Sequence, residues 1–278
     1  MSFDSTCRRL AEMFPEDFSS WLLGRRITLT ELQPTELSIE PIRADSLILL
    51  QGESEIIQIE FQTRPDAKMP TRLADYRIRL HRKFPDKTIY QVVIYLKRTR
   101  SKKVYVTNFD IAGLRGEFQV IRIWEVPAAD LLVYPGLLPF AALAKSPNAA
   151  ATLRSAVQVM ESLPQGQQHE TMAAAYILAG LHLKQDVISQ IIRRDIMKES
   201  VTYQAIFQEG EQRGISIGEQ RGISIGEQRG ISIGEQRGTL ESRLDIARRM
   251  LVRGMTIEDI MELTDLTREQ IQALRSPE

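Results

Sequence analysis

Hydrophobic and polar residues alternate along the segment SEIIQIEFQT, which starts at Ser54. This period of two predicts a β-strand with an apolar face that ends at Phe61. The opposite face of the strand carries Glu60 and Gln62. Because Glu is depleted in strands, a carboxylate and an amide two residues apart on an apolar strand are candidate functional groups.

The wider pattern predicts an α/β domain over residues 1–135. Two short helical segments divided at Pro15 come first, and two strands then flank the turn QGES. A helix is predicted over residues 70–85, and the continuous apolar run KTIYQVVIYL is typical of a buried strand. Weaker strand patterns occur in RRITLTELQPTELSIEPI, KKVYVTNF and EFQVIRIWEV. The order helix, three strands, helix, strand (αβββαβ) indicates a mixed sheet flanked by helices.

From residue 136 onward the pattern becomes all-helical, with 3.6-residue apolar stripes over residues 136–207. Residues 208–238 contain the octapeptide GEQRGISI, repeated from Gly210 with a glycine at every fourth position. Each glycine costs a helix about 1 kcal/mol relative to Ala. The repeat is interpreted as a low-complexity linker, or alternatively as an extended helix whose glycines let a partner helix approach closely.

The last segment, residues 239–278, predicts a pair of short helices. Thr256 and Thr267 are candidate N-caps, and Thr267 with Gln270 fits a capping box. We favour a helical hairpin that caps the chain or forms a homo-oligomer. The alternative is a helix-turn-helix that enters a DNA groove.

Composition and charge exclude few classes of protein function. The 278 residues include 36 basic and 36 acidic side chains, so net charge does not indicate a polyanionic partner. The sequence predicts no membrane span and no signal peptide. Cys7 is the only cysteine, so no internal disulfide can form, and we expect a cytoplasmic location. The three histidines are not spaced as metal ligands.

A hairpin around QGES would bring a second carboxylate to the strand. If Leu50 faces Glu55, antiparallel pairing places Asp45 opposite Glu60, and Arg43 opposite Gln62. Two facing carboxylates repel each other unless a proton or a cation lies between them. We expect Mg²⁺, with Mn²⁺ or Ca²⁺ as alternatives, because Mg²⁺ binds through one or two carboxylates, waters and substrate phosphate. The Phe61 carbonyl is a candidate additional ligand. The alternative is an edge hairpin whose polar end lies in solvent.

The segments RADSLILL, IEFQ, RLADYRIRLHRKFP and QVVIYL resemble the core of the PD-(D/E)XK nuclease superfamily. More narrowly, they resemble the Rpn family of recombination-promoting, transposase-like nucleases. The resemblance implies a metal-dependent DNA endonuclease in which Asp45 and Glu60 bind the metal. It places Gln62 where the superfamily usually has a lysine, an exchange known in the Rpn family, and it matches Asp4 to an acidic position of the first helix.

Gln62 is neutral, so it can orient a water molecule but supplies no positive charge. We infer from the pairing of Arg43 with Gln62 that Arg43 supplies the positive charge that Gln62 lacks. The alternative is that Arg43 pairs with Glu60 and stabilises the fold.

The predicted helix over residues 70–85 is strongly basic and has a single acid, Asp75. This density suits phosphate contacts and salt-dependent DNA binding, whereas the alternative is a solvated surface. The candidate DNA-binding residues are Arg72, Arg77, Arg79, Arg82 and Lys83.

The preferred function is therefore a Mg²⁺-dependent endodeoxyribonuclease that acts in recombination, mobile-element biology or phage defence. One alternative is a catalytically weak, nuclease-derived protein that binds DNA. Another is an assembly protein in which the repeat and the hairpin form a homo-oligomer.

Overall fold

The computed structural model describes residues 2–31, 47–193 and 200–274 and divides the chain into two compact units, Met1–Gln208 and Glu209–Glu278. Asp45 and Arg43 lie outside the described residues. The helices are α1 Ser2–Met13, α2 Pro15–Leu23, α3 Met69–Lys83, α4 Ala128–Leu132, α5 Ala149–Met160, α6 Gln165–Ala179, α7 Gln185–Ile191, α8 Val201–Val252, α9 Ile257–Thr264 and α10 Arg268–Ala273. The strands are β1 Thr30–Glu31, β2 Leu47–Gln51, β3 Glu55–Gln62, β4 Thr88–Tyr95, β5 Asn108–Ile111, β6 Leu114–Glu117 and β7 Gln119–Arg122.

The first unit is built on a mixed five-stranded sheet in the order β1-β2-β3-β4-β7. Strands β1, β2 and β3 pair antiparallel, whereas β4 runs parallel to β3 and β7 runs parallel to β4. The carboxyl ends of β3, β4 and β7 therefore meet at one edge of the sheet. The prediction of an α/β fold with a mixed sheet is confirmed.

The predicted pairing of β2 with β3 is wrong by two residues. Leu47, not Asp45, lies opposite Glu60. The reason is a tighter turn, in which the Gly52 N–H donates to the Glu55 carbonyl at 2.9 Å and leaves only two residues in the loop. A shift of two residues keeps every side chain on its predicted face, whereas a shift of one would have exchanged the faces.

Helices and loops cover both faces of the sheet. The face that includes Phe61 packs against α1, α2 and the 3₁₀ segment Pro135–Leu143. At its centre the Phe61 ring stacks on Phe140 with a centroid distance of 5.6 Å, and Phe18 meets both rings edge-on. Helix α3 covers the opposite face with Leu73, Tyr76 and Leu80.

Two predicted strands are broken by short 3₁₀ turns. KKVYVTNF begins with a 3₁₀ turn, Lys102–Tyr105, which starts where the Lys103 N–H donates to the Ser101 hydroxyl. EFQVIRIWEV contains β7 followed by the 3₁₀ turn Ile123–Glu125. Strands β5 and β6 form a separate two-stranded hairpin, which the sequence did not predict.

The repeat lies within the single long helix α8. The structure therefore agrees with the second interpretation of the repeat, an extended helix. A methyl group added at any repeat glycine would have no neighbouring atom within 4 Å. The end of α8 packs against α9 and α10 around Ala247, Ile260, Leu266 and Ile271. The predicted capping box between Thr267 and Gln270 is present at the start of α10.

Candidate active site at the carboxyl edge of the sheet

The candidate site begins with Glu60 and Gln62 at the carboxyl end of β3. Both residues are on the face that α3 covers, and the Glu60 side chain is fully buried. In parallel sheets, ligands bind outside the carboxyl ends of the strands, so Glu60 and Gln62 occupy a position favourable for a site.

One oxygen of Glu60 is held by cationic and amide donors. Arg72 Nη1 donates to Glu60 Oε2 at 3.1 Å, and Gln62 Nε2 donates to the same oxygen at 3.4 Å. The other terminal nitrogen of Arg72 pairs with Asp66, in the loop between β3 and α3. Arg72 therefore joins two carboxylates, one buried and one partly exposed.

The second oxygen, Glu60 Oε1, is buried and has no hydrogen-bond partner among the described residues. A buried polar atom without a partner costs about 1–3 kcal/mol, and more when it carries charge. Such an atom in an otherwise well-packed sheet indicates a ligand, a proton or a water molecule at this position.

Burial away from water raises the pKa of Glu60 above its ordinary value. The charge of Arg72 and its hydrogen bond act in the opposite direction, whereas the charge of Asp66 adds to the rise. Burial, reinforced by the charge of Glu60, raises the pKa of Tyr76 to about 12. Burial and the charges of Asp66 and Glu60 also raise the pKa of Tyr95. The surroundings of Glu60 are thus poorly hydrated, and the carboxylates of Glu60 and Asp66 both lie beside the guanidinium of Arg72.

A buried amide network beside the site fixes α3 on the sheet. Gln91 Nε2 donates to Gln58 Oε1 and to the Leu73 carbonyl, both at 2.7 Å. Arg77 Nε donates to Gln91 Oε1 at 2.6 Å, and Arg77 also donates to the Glu117 carbonyl at 2.9 Å. Burial lowers the pKa of Arg77. This network determines where Arg72, on the same helix, meets Glu60.

The predicted DNA-binding residues therefore occupy different environments. Arg72 and Arg77 are directed at the sheet and hold buried polar groups there. Arg79 pairs with Asp75 at 3.0 Å. Arg82 and Lys83 are exposed near the end of α3. The structure thus places only part of the predicted basic surface in solvent.

The structure describes only some of the other predicted site residues. Asp45 and Arg43 are outside the described part of the chain, and Asp4 lies on α1 with its side chain also outside it. The Phe61 side chain is in the core. Because the Gln62 carbonyl accepts from Leu96 on the β4 side, the Phe61 carbonyl points toward the β2 side.

A metal-binding site at Glu60 would be incomplete with the described residues alone. Within residues 2–31, 47–193 and 200–274, no group of three or more His, Cys, Asp and Glu side chains could hold a metal ion. Glu60 Oε1 fits the role of one oxygen ligand, because it is buried and without a partner in those ranges. Arg72 already occupies Glu60 Oε2. A complete site therefore needs further ligands.

Sequence reasoning missed Asp66 and the role of Arg72. Asp66 lies four residues after Gln62, in the loop that leaves the strand at the edge where sites form. This position in the loop after β3 could have identified Asp66 as a candidate site residue. Arg72 was assigned to DNA because basic helices usually face solvent, and no local pattern indicates which turn of α3 crosses Glu60.

No helix within the described ranges has the length and apolarity needed to cross a membrane. Residues 240–276 match the family model described as "Rpn/YhgA-like nuclease family, C-terminal HTH domain". No curated protein and no solved structure matches the chain. The matched segment comprises the end of α8 with α9 and α10, so the match favours the helix-turn-helix over the oligomerising hairpin. It supports membership of the Rpn nuclease family, and the helix-turn-helix indicates DNA as a partner.

Proposed function

We propose that the chain is a metal-dependent DNA endonuclease with Glu60 at its centre. The proposal rests on Glu60 Oε1, which is buried at the carboxyl end of a parallel strand pair and has no hydrogen-bond partner in the described part of the chain. An oxygen buried without a hydrogen-bond partner lowers stability, and this favours a ligand bound at Glu60 Oε1 in the working state. The match of the last helices to a nuclease-family domain supports the same function.

In this proposal Glu60 and the Phe61 carbonyl would hold Mg²⁺ together with Asp45, which is assigned by the resemblance to PD-(D/E)XK nucleases and no longer by the pairing of β2 with β3. The ion would supply charge stabilisation at the scissile phosphate and lower the pKa of a bound water. Gln62 orients the attacking water through its side-chain amide, since it carries no charge of its own.

Arg72 provides the positive charge that a lysine would otherwise supply at the Gln62 position. Its guanidinium already lies 3.1 Å from Glu60 Oε2 and is partly exposed. A fixed cation beside the proposed metal-binding acid could stabilise negative charge that develops on a phosphate. Arg72 therefore replaces Arg43, assigned from the wrong pairing, as the first candidate for this role.

A plasmid-cleavage assay with Mg²⁺, Mn²⁺, Ca²⁺ or EDTA tests the proposal. We expect metal-dependent nicking that is lost in Asp45→Asn and in Glu60→Gln. Glu55→Gln is the matched control, because Glu55 is a mostly buried acid at the other end of the same strand and pairs with Arg25 at 2.6 Å. It should keep full cleavage activity.

Cleavage that is equal in Glu60→Gln and in the unsubstituted protein would overturn the assignment of the site. Absence of cleavage with every ion would remove the endonuclease function. Circular dichroism of each variant distinguishes loss of activity from loss of folding.

A second candidate function is DNA binding without cleavage. The contact between Arg72 and Glu60 favours it, because an arginine paired with the acid competes with a metal ion. The DNA-binding domain at the end of the chain fits both functions. Salt-dependent binding of DNA, with no product under any ion, would favour this candidate.

A further inference from the structure

A wide polar cleft lies in the first unit at the same edge of the sheet as Glu60. Its volume is about 1000 Å³, and its walls include Arg98, Arg100, Lys145, Tyr105, Trp124 and Glu125. The loop with Arg98 and Arg100 follows β4, and Trp124 and Glu125 follow β7. Because β3, β4 and β7 are parallel, these loops and Gln62 emerge at one edge.

The basic loop starts directly beside the candidate active site. The Leu96 N–H donates to the Gln62 carbonyl at 2.8 Å, and Arg98 follows two residues later. A chain held in the cleft would therefore lie near the end of β3.

The cations of the cleft are available to a ligand. Within the described ranges, no carboxylate pairs with Arg98, Arg100 or Lys145. Lys145 is fixed through its backbone, which bonds to Val126 at 2.8 Å and to Ala128 at 3.1 Å. These three side chains give the cleft a positive potential.

Glu125, the one acid among the described residues of the cleft wall, is already compensated. Glu125 accepts from Arg122 Nε at 2.8 Å and from the Tyr105 hydroxyl at 3.4 Å. Its charge therefore reduces the attraction for an anion only weakly.

Two aromatic rings accompany the cations. Tyr105 is 53% exposed, and the Arg122 guanidinium lies 4.4 Å from its ring centroid. Trp124 is half-buried and packs against two core clusters, which hold it in place. An exposed tyrosine held by a cation and a hydrogen bond is a preorganised surface for another flat ring.

From this combination we propose that the cleft binds a single, unpaired nucleic acid strand. The phosphates lie against Arg98, Arg100 and Lys145, and a base stacks on Tyr105 or Trp124. Cations that follow the backbone, together with aromatic rings that stack bases, are what single-strand binding requires. A duplex keeps its bases stacked inside and leaves the rings unused. The proposal deepens the proposed function, since it names an unpaired strand as the form of DNA presented to the site.

Tryptophan fluorescence tests this directly, because the chain has only two tryptophans. The Trp21→Phe substitution in α2 leaves Trp124 as the sole reporter. An oligothymidylate is titrated into this full-length variant in EDTA, and a hairpin duplex is titrated in parallel. We expect Trp124 to be quenched by the single strand and much less by the duplex.

Substitutions in the same background separate the charge contribution from the stacking contribution. Arg98→Ala with Arg100→Ala should weaken binding and reduce the slope of log affinity against log salt by about 1.4, or about 0.7 for each lost phosphate contact. Tyr105→Ala should weaken binding about tenfold with an unchanged salt slope, and Tyr105→Phe should restore the affinity. Arg154→Ala, an exposed arginine on α5, is the control and should change neither quantity.

Absence of quenching by the single strand, or equal affinity in the variant lacking Arg98 and Arg100, would overturn the proposal. Quenching of Trp124 that is as strong with the duplex as with the single strand would do the same. The result is independent of cleavage. Quenching without nicking under any ion would contradict the endonuclease proposal and support single-strand binding in the cleft. Nicking without quenching would contradict single-strand binding in the cleft and support the endonuclease proposal.

Discussion

At the scale of single residues, the fold and the proposed function favour opposite protonation states of Glu60. Its side chain is fully buried, and burial raises its pKa despite the arginine beside it. Loss of hydration therefore outweighs the attraction of Arg72. The charged form that a metal would need is the form that the folded chain disfavours.

This conflict predicts a specific pH dependence of stability. Because the folded pKa lies above the unfolded value of 4.5, Glu60 contributes stability below that value and loses it as pH rises through the folded pKa. Glu60→Gln, which cannot ionise, should therefore gain stability relative to the unsubstituted protein as pH rises from about 4 to 7.

Urea unfolding followed by tryptophan fluorescence measures this difference. Trp21 and Trp124 both belong to the first unit, so the signal reports on the unit that contains Glu60. A stability difference that stays constant over the same pH range would contradict the assignment of a raised pKa.

The contribution of Arg72 to the stability of the first unit can be measured separately from that of Glu60. Arg72→Met should destabilise the first unit by about 3 kcal/mol, because it leaves the buried Glu60 without a cation. In the Glu60→Gln background the same substitution should cost far less. A double-mutant cycle from urea midpoints measures the coupling, and additive effects would show that the two side chains do not interact.

At the scale of elements, the glycine repeat is helical although each glycine disfavours helix. The helix α8 includes every repeat glycine, and an added methyl group would find open space at each. Within the described residues, the fold thus gives no steric reason for glycine. Glycine therefore contributes either backbone flexibility of α8 or the possibility that another helix approaches α8 closely.

Alanine substitution distinguishes these two properties. Gly222→Ala and Gly226→Ala should each stabilise α8 by about 1 kcal/mol, seen as a higher melting temperature by far-ultraviolet circular dichroism. The control is Gly254→Ala, which should destabilise, because Gly254 has a φ of +80° at the end of the same helix.

Light scattering of the repeat variants supplies the second result. If the glycines allow helices to associate closely, the alanine variants should dissociate an oligomer that the unsubstituted protein forms. An unchanged molecular mass together with higher stability would show that the repeat does not associate with another helix. Backbone flexibility would then be the remaining contribution of the glycines.

At the scale of the whole molecule, the two proposed activities belong to different units. The sheet with Glu60 belongs to Met1–Gln208, and the segment that matches the helix-turn-helix belongs to Glu209–Glu278. Cleavage and duplex binding should therefore respond to different substitutions.

Duplex binding should depend on the first residues of α10, the second helix of the motif, where helix-turn-helix proteins contact base edges. Arg268→Ala should weaken binding of a preferred duplex by about 1–3 kcal/mol. Arg248→Ala, an exposed arginine on α8, should change it little. Glu60→Gln should abolish cleavage and leave duplex affinity unchanged, as measured by fluorescence anisotropy.

If Glu60→Gln lowered duplex affinity as strongly as Arg268→Ala does, this division between the units would be wrong. If Arg268→Ala and Arg248→Ala gave equal affinities, the start of α10 would not contact the base edges.

The sequence by itself determined the periodic features. Glu60 and Gln62 lie on the polar face of β3, α3 follows as a helix, and Thr267 caps α10. These features depend on side chains a few residues apart, so local alternation and capping chemistry are sufficient to predict them.

Only the tertiary structure decided which groups meet. The pairing of β2 with β3 depends on a turn closed at Gly52, whose space is limited by Ile27 and Leu29 from another segment. The contact between Arg72 and Glu60 depends on how α3 crosses the sheet, and the cleft depends on loops that follow β4 and β7. Such contacts join residues far apart in sequence, and their energies depend on burial, which no local pattern of residues specifies.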